Sequence, residues 1–323
     1  MSQVKSGFSI ERKGLDLRFR AATLAEREWL APNYVRVRLI GDELAGFESL
    51  GADDHMRLFF ASAPTDSVEE LRAAPSREYT PLAWGENWLD VEFAVHGGEG
   101  VGARWAASAP LGSFAGVGGP RGSAVLTGAP GSWLLVGDET AIPAIRRFAA
   151  MIPSGDPARI VIEVGSEVDE VSLNAPVAVE WLHRGDAPAG SALIASLESL
   201  GETDAVGPDP FVFIAAEQSI VKPGRALLAR WGVDVSKAVV KGYWNATRPS
   251  TTRRTDSRAR RQHGTSTNGR AVRAIEPCIR RGPVHSTALG RCGCYCSGGD
   301  WTTPGAPGIR LRTPAAKGES CRL

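Results

Sequence analysis

The stretch from Arg77 to Ala106 carries residue types from which a phosphate grip can be built. It opens with R-E-Y-T-P-L (Arg77, Glu78, Tyr79, Thr80, Pro81, Leu82) and runs through L-D-V-E-F-A-V (Leu89 to Val95). It then reaches H-G-G-E-G-V-G-A-R-W-A (His96 to Ala106). Leu89, Val91, Phe93 and Val95 alternate with Asp90, Glu92 and Ala94, the two-residue period of a strand. Glycines follow directly, and a helix-compatible A-R-W-A-A-S-A follows them. A helix that starts on glycine leaves its first N–H groups uncovered, where an anion can sit. Arg77 offers a guanidinium suited to a bidentate phosphate contact. Together these read as a pyrophosphate grip for a flavin dinucleotide, FAD. Tyr79 is placed to lie against the ring and Thr80 to hydrogen-bond its edge. His96, Gly97, Gly100, Gly102, Ala103 and Arg104 form the assisting turn, though His96 is equally a structural turn histidine.

Other readings compete for these residues. G-E-G-V-G-A (Gly98 to Ala103) also fits the G-x-G-x-x-[GA] dinucleotide fingerprint. Pro110 ends the helix after about two turns, too soon for a βαβ crossover, so a Rossmann site is not expected there. A plain glycine-rich surface turn is the remaining alternative. G-V-G-G-P-R-G-S (Gly116 to Ser123) reads as a hairpin or domain junction. W-L-L-V-G-D-E-T-A-I-P-A-I (Trp133 to Ile145) puts Gly137, Asp138, Glu139 and Thr140 at the carboxyl end of a strand, where open α/β sheets bind ligands. These four are candidates for a nicotinamide site, NADH or NADPH. The competing reading is a helix N-cap at Thr140 beside a solvated acidic pair. No residue is nominated as a general acid or base, and none as a metal ligand.

The elements that must hold these residues show two textures. From about Leu15 to Leu126 short alternating segments recur: L-D-L-R-F-R-A, Y-V-R-V-R-L, H-M-R-L-F-F and the Leu89 strand. They predict a small antiparallel barrel. From Trp133 a continuous apolar W-L-L-V predicts a strand buried on both faces. Helix-spaced Ile142, Ile145, Phe148 and Ala149 follow. R-I-V-I-E-V, V-A-V-E-W, F-V-F-I-A-A and A-V-V-K-G-Y read as strands, with helical S-A-L-I-A-S-L-E-S-L and G-R-A-L-L-A-R-W between the later ones. That alternation predicts a mainly parallel α/β sheet. The expected division is a flavin-binding β-barrel over 10–129, an α/β nicotinamide-binding domain over 130–246 and a tail over 247–323.

Composition sets outer bounds. The chain has 323 residues with 37 Lys+Arg, 36 Asp+Glu and a net charge of +1. From Pro249 onward lie 14 of the 37 basic and 4 of the 36 acidic residues, leaving 23 basic and 32 acidic in the preceding 248. All five cysteines (Cys278, Cys292, Cys294, Cys296, Cys321) lie in that tail. A cysteine-free body excludes a disulfide scaffold, a thiol enzyme and an iron–sulfur protein. No window has the length of a membrane span and the first residues lack a signal-peptide core, so cytoplasmic residence is expected.

The tail composition, without phenylalanine or sustained period, predicts disorder. C-G-C-Y-C lacks the two- to four-residue spacing of zinc ligands. The arginines lack the aromatic interleaving of a nucleic-acid platform, so nucleic acid is not an expected partner. Arginine outnumbers lysine 13 to 1 there, as in a high-GC gene read out of frame, and a frameshift product is the alternative expectation.

With these residues laid out, the body resembles the siderophore-interacting protein family of FAD-dependent ferric-siderophore reductases, the vibriobactin-utilisation type among them. D-D-H-M-R-L-F-F (Asp53 to Phe60), R-E-Y-T-P, H-G-x-x-G…R-W-A, G-P-R-G-S, G-D-E-T-A-I-P-A-I, A-A-E (Ala215 to Glu217) and G-Y-W (Gly242 to Trp244) carry the likeness in order. The chain departs from the family pattern at Leu82, Val101-Gly102, Ala216 and after Trp244. The resemblance implies a ferredoxin-reductase-like flavin barrel plus nicotinamide domain. It also implies NAD(P)H reducing FAD and reduced FAD passing electrons to a chelated Fe(III). The implied partner is an anionic ferric siderophore, with the basic residues Lys222, Lys241 and Arg248 as possible attractors. A monomer is expected. The alternatives are a flavin reductase with another electron acceptor and an inactive siderophore-binding relic.

Overall fold

The alternating segments of the first half fold into one antiparallel sheet whose two edges meet. A computed structural model of the chain describes residues 7–61, 65, 67–95 and 100–246. Its first half runs through strands Phe8–Gly14 (β1), Phe19–Ala31 (β2), Tyr34–Ile40 (β3) and Met56–Phe60 (β4), then helix Val68–Ala73 (α1). Ser76–Tyr79 (β5), Pro81–Trp84 (β6) and Trp88–Ala94 (β7) follow, then helix Val101–Ser108 (α2), Phe114–Gly118 (β8) and Gly122–Gly128 (β9). Seven strands pair antiparallel in the order β5-β4-β8-β2-β3-β7-β6. β5 and β6 form opposite edges, yet Thr80 alone separates them in sequence. So short a link spans roughly 7 Å, so the sheet curls until its edges adjoin. Leu24, Val37, Leu39, Leu58, Leu89, Val91 and Val117 fill the interior.

Two details differ from the sequence expectation. The alternation through Leu15 and Leu17 does not belong to a strand: β2 starts at Phe19, and Leu17 is 60% exposed. There the chain runs beside the β8–β9 connection, with the Leu15 N–H on the Arg121 carbonyl at 3.0 Å. β1, which no alternation marked, pairs along its whole length with β9 as a separate two-stranded ribbon. Gly119-Pro120, in a cis peptide, joins β8 to that ribbon. Phe8 of β1 then packs edge-on against Phe211 at 6.0 Å, in the second half of the chain.

The second half contains β10 (Ser132–Asp138), helix α3 (Ile142–Ala149), β11 (Ala158–Val164), β12 (Val179–His183) and helix α4 (Ser191–Ser199). It continues with β13 (Pro210–Glu217), helix α5 (Val221–Arg230) and β14 (Ala238–Trp244). The sheet order is β12-β11-β10-β13-β14, and every pair is parallel. Trp133 and Leu135 pack with Ile142, Ile145 and Phe148 of α3 on one face. Leu134 and Val136 pack with Leu193, Leu197 and Leu227 of α4 and α5 on the other. Burial on both faces is why W-L-L-V is continuously apolar. No α-helix links β11 to β12; the chain crosses there through a single short turn at Glu167–Asp169.

Candidate functional site

β5 sets the first part of the site. Arg77 and Tyr79 are two residues apart, so their side chains leave the same face of the strand. The Tyr79 ring lies 4.3 Å from Phe93 and edge-on to Phe60 at 6.1 Å. Burial raises its hydroxyl pKa well above the usual tyrosine value, against a smaller opposing effect of the Arg77 charge. Arg77 is half-buried, with Nη1 on the Ser76 carbonyl at 2.8 Å.

Helix α2 starts on this same face. Gly100, at φ +108°, is its N-cap, and no side chain caps it. A Cβ on Gly102 would collide with the Tyr79 hydroxyl and come within 3.1 Å of the Phe60 ring. The glycine therefore permits the close approach that brings the first turn of α2 against Tyr79. The result is a helix start that no described side chain caps, with the Tyr79 ring against its first turn and the Arg77 guanidinium on the same face of β5. These groups fit a dinucleotide pyrophosphate with its ring system. Ala103 and Arg104 lie in that first turn, and the Arg104 N–H bonds the Gly100 carbonyl at 3.1 Å. His96 and Gly97 lie outside the described residues.

Thr80 sits where the barrel edges meet, 7% exposed. Its side chain interacts with the Tyr243 hydroxyl from the second sheet. That hydroxyl donates to Asp53, and Lys241 pairs with the same carboxylate. Asp54, next in sequence, turns toward β9 of the two-stranded ribbon and accepts from Ser49 Oγ at 2.9 Å, the Gly51 N–H at 3.0 Å and Ser123 Oγ at 2.6 Å. Sequence reasoning took Asp53 and Tyr243 only as members of family motifs. Their pairing spans 190 residues, and no local signal reports it. Lys241, considered above as an attractor for an anionic chelate, is already paired. Lys222 is exposed on α5, and Arg248 lies outside the described residues.

The second part of the site lies at the carboxyl end of β10. β11 and β12 extend the sheet to one side of β10 and β13 and β14 to the other, so the strand order reverses here. Such a switch point opens the crevice in which doubly wound sheets bind ligands. Gly137 is packed flat, and a Cβ there would come within 2.5 Å of Ala141 Cβ and 2.8 Å of the Ala215 carbonyl oxygen.

Asp138 and Glu139 are buried and partnered rather than solvated. Asp138 Oδ1 accepts the Thr140 N–H at 2.9 Å, and Oδ2 accepts the Glu217 N–H at 2.9 Å and Trp244 Nε1 at 2.8 Å. One carboxylate thus ties together β10, β13 and β14. Burial, reinforced by the neighbouring Glu139 charge, pushes the Asp138 pKa up to about 6 despite bonds from Thr140 and Trp244. The cap is Asp138, not Thr140: the Thr140 hydroxyl donates back to Asp138, and α3 itself has no side-chain cap. Glu139 forms a two-armed pair with Arg184, at 2.7 and 3.1 Å.

No group of three or more His, Cys, Asp or Glu side chains among the described residues is arranged to hold a metal ion. The Cys292–Cys296 cluster lies outside them, as does the rest of the tail from residue 247.

Residues 23–124 match the model of the siderophore-interacting FAD-binding domain, and residues 131–247 that of the siderophore-interacting protein. An NADPH-dependent ferric-chelate reductase of Escherichia coli (strain K12) is 32% identical over 250 residues, 72% of this chain and 94% of the relative. The ferric vibriobactin reductase ViuB of Vibrio cholerae serotype O1 is 26% identical over 247 residues, covering 70% and 89%. The crystal structure of a siderophore utilization protein from T. fusca superposes with a TM-score of 0.65 at 30% identity, covering 76% of this chain and 98% of that one.

Proposed function

The chain belongs to the siderophore-interacting protein family, and from that premise we propose that it is an FAD-dependent NAD(P)H:ferric-siderophore reductase. The observation that carries this reading is the approach of α2 to Tyr79 of β5 across Gly102, with Arg77 on the same face of that strand and Thr80 just past its end. The barrel is assigned to FAD and the parallel sheet to the nicotinamide.

Arg77 and the first turn of α2, from Gly100 through Gly102, Ala103 and Arg104, would hold the pyrophosphate; His96 and Gly97 immediately precede that turn in sequence. Tyr79 would give one face to the ring and Thr80 a hydrogen bond to its edge. Gly137 to Thr140 would form the floor of the nicotinamide crevice. Because Asp138 and Glu139 are satisfied internally, their part is to fix that floor, not to exchange protons.

Bound FAD supplies the conversion between a two-electron donor and a one-electron acceptor. Overall, one NAD(P)H reduces two chelated Fe(III) to Fe(II), giving NAD(P)+ and one proton. Siderophores hold Fe(III) through hard oxygen donors and Fe(II) more weakly, so reduction frees the metal. The protein need only position the partners and leave one approach for the chelate.

No described helix is long and apolar enough to cross a membrane. In this proposal the chain acts as a monomer in the cytoplasm, on chelate already imported. Light scattering after gel filtration tests the monomer.

The test of the function begins with the visible spectrum of the purified protein, followed by anaerobic addition of NADH or NADPH and then a ferric chelate. Bleaching by nicotinamide and recovery with Fe(II) formation are expected. A colourless protein that ignores added FAD would overturn the reading.

A further inference from the structure

NADH and NADPH differ by one phosphate on the adenosine ribose. In a doubly wound sheet the dinucleotide crosses the switch point, and the ribose 2′ position falls beside the strands next to the first. A carboxylate there accepts the 2′-hydroxyl, or an arginine there takes the 2′-phosphate. The corresponding place in this chain is a cleft lined by Asn33, Tyr34, Glu139, Asp169 and Arg184 beyond the ends of β10, β11 and β12.

The one cation lining this cleft among the described residues is Arg184. It is held by both oxygens of Glu139, at 2.7 and 3.1 Å, with Glu163 behind it at 3.8 Å. Glu163 cannot turn away, because its own oxygens cap α4 through the N–H groups of Gly190, Ala192 and Leu193 at 2.6 to 3.1 Å. Asp169, the other acid of the cleft, takes donors from Asn33 and Ser166 among the described residues. Of the other basic groups around the cleft, His183 is on Glu170 at 2.8 Å, and Arg146 and Arg36, whose charges reach Tyr34, are both on Glu92, at 3.2 and 2.7 Å. The cleft volume is about 50 Å³, room for roughly three to five waters.

Resting on the reductase reading above, we propose that the Glu139–Arg184 pair makes the nicotinamide site selective for NADH over NADPH. Glu139 neutralises the guanidinium that a 2′-phosphate requires. Asp169 presents a carboxylate acceptor suited to a 2′-hydroxyl, and its charge repels a phosphate. Glu139 is thus a specificity-determining residue, acting through Arg184.

The experiment is calorimetric titration of the FAD-loaded protein with NAD+ and, separately, NADP+. NAD+ is expected to bind at least tenfold tighter. Glu139→Gln removes the nearer of the two carboxylates on Arg184 and is expected to raise NADP+ affinity at least threefold more than NAD+ affinity. Arg184→Ala, which removes a group the 2′-phosphate does not use, is expected not to weaken NADP+ further. Equal or tighter NADP+ binding by the unmodified protein overturns the proposal whether or not the variants fold. So does a selective loss of NADP+ binding in Arg184→Ala. If neither dinucleotide binds, the nicotinamide assignment itself falls, a result distinct from reversed selectivity.

Discussion

Arg146 on α3 donates from Nε to Oε2 of Glu92 on β7 at 3.2 Å, joining the helix of the parallel sheet to the wall of the barrel. Glu92 also accepts the Tyr34 hydroxyl at 2.9 Å and Arg36 Nη2 at 2.7 Å, and its side chain is fully buried. One carboxylate therefore neutralises two guanidiniums at the junction of the two sheets. In Glu92→Ala Arg146 would lose its counter-charge, and Arg36 would keep the exposed Glu28 at 3.6 Å. Breaking a buried pair from one side costs roughly 3 to 5 kcal/mol, and the partial exposure of Arg36 favours the lower end. Urea denaturation should show a loss of about 3 kcal/mol; a change below about 1 kcal/mol would show that solvent replaces the carboxylate.

Asp138 makes stability depend on pH with an unusual sign. Its folded pKa of about 6 lies above the ordinary carboxylate value because the site is buried and Glu139 is adjacent. Between about pH 4 and 6 the folded state thus holds a proton that the unfolded state has released. The contribution of Asp138 is complete below that window and is lost as pH rises through 6. Asp138→Asn should lower stability overall, since one amide oxygen cannot serve both sets of donors. It should also remove this falling limb. Equal slopes in the two proteins, from thermal melts at pH 4.5 to 7, would refute the assignment.

Gly102→Ala tests the contact between α2 and β5. The new methyl would meet the Tyr79 hydroxyl and the Phe60 ring, so helix or tyrosine must move. FAD affinity, followed by flavin fluorescence quenching, should fall at least tenfold. A variant that binds FAD normally would mean the coenzyme does not use this approach.

Arg77→Ala should weaken FAD binding by about 2 kcal/mol, roughly thirtyfold, the scale of one lost charge-assisted contact. Among the described residues its hydrogen-bond partner is the neighbouring Ser76 carbonyl, so folding should be little affected. Unchanged affinity with an unchanged melting temperature would move the phosphate site elsewhere.

Much of the architecture was legible because periodicity reports burial. The alternation over Leu89 to Val95 and the unbroken W-L-L-V marked strands of the two kinds found in β7 and β10. Alternation was misleading at Leu17, where the pattern continues but no neighbouring strand pairs with the chain. Asp90 and Glu92 show the same limit from the other side. They alternate as a polar face should, yet Asp90 is covered by its pairing with Arg38, and Glu92 by Arg36 and α3.

The order of short motifs, by itself, determined the family, the two kinds of sheet and which residues of β5 and α2 are candidates for holding a flavin. Tertiary structure alone decided that Thr80 closes the barrel seam beside Tyr243, that Asp53 reaches Lys241 across 188 residues, and that Asp138 and Glu139 are internal ties. The reason is physical. Local spacing fixes which way a side chain leaves its own strand or helix, whereas what it meets there depends on how distant segments are folded over it.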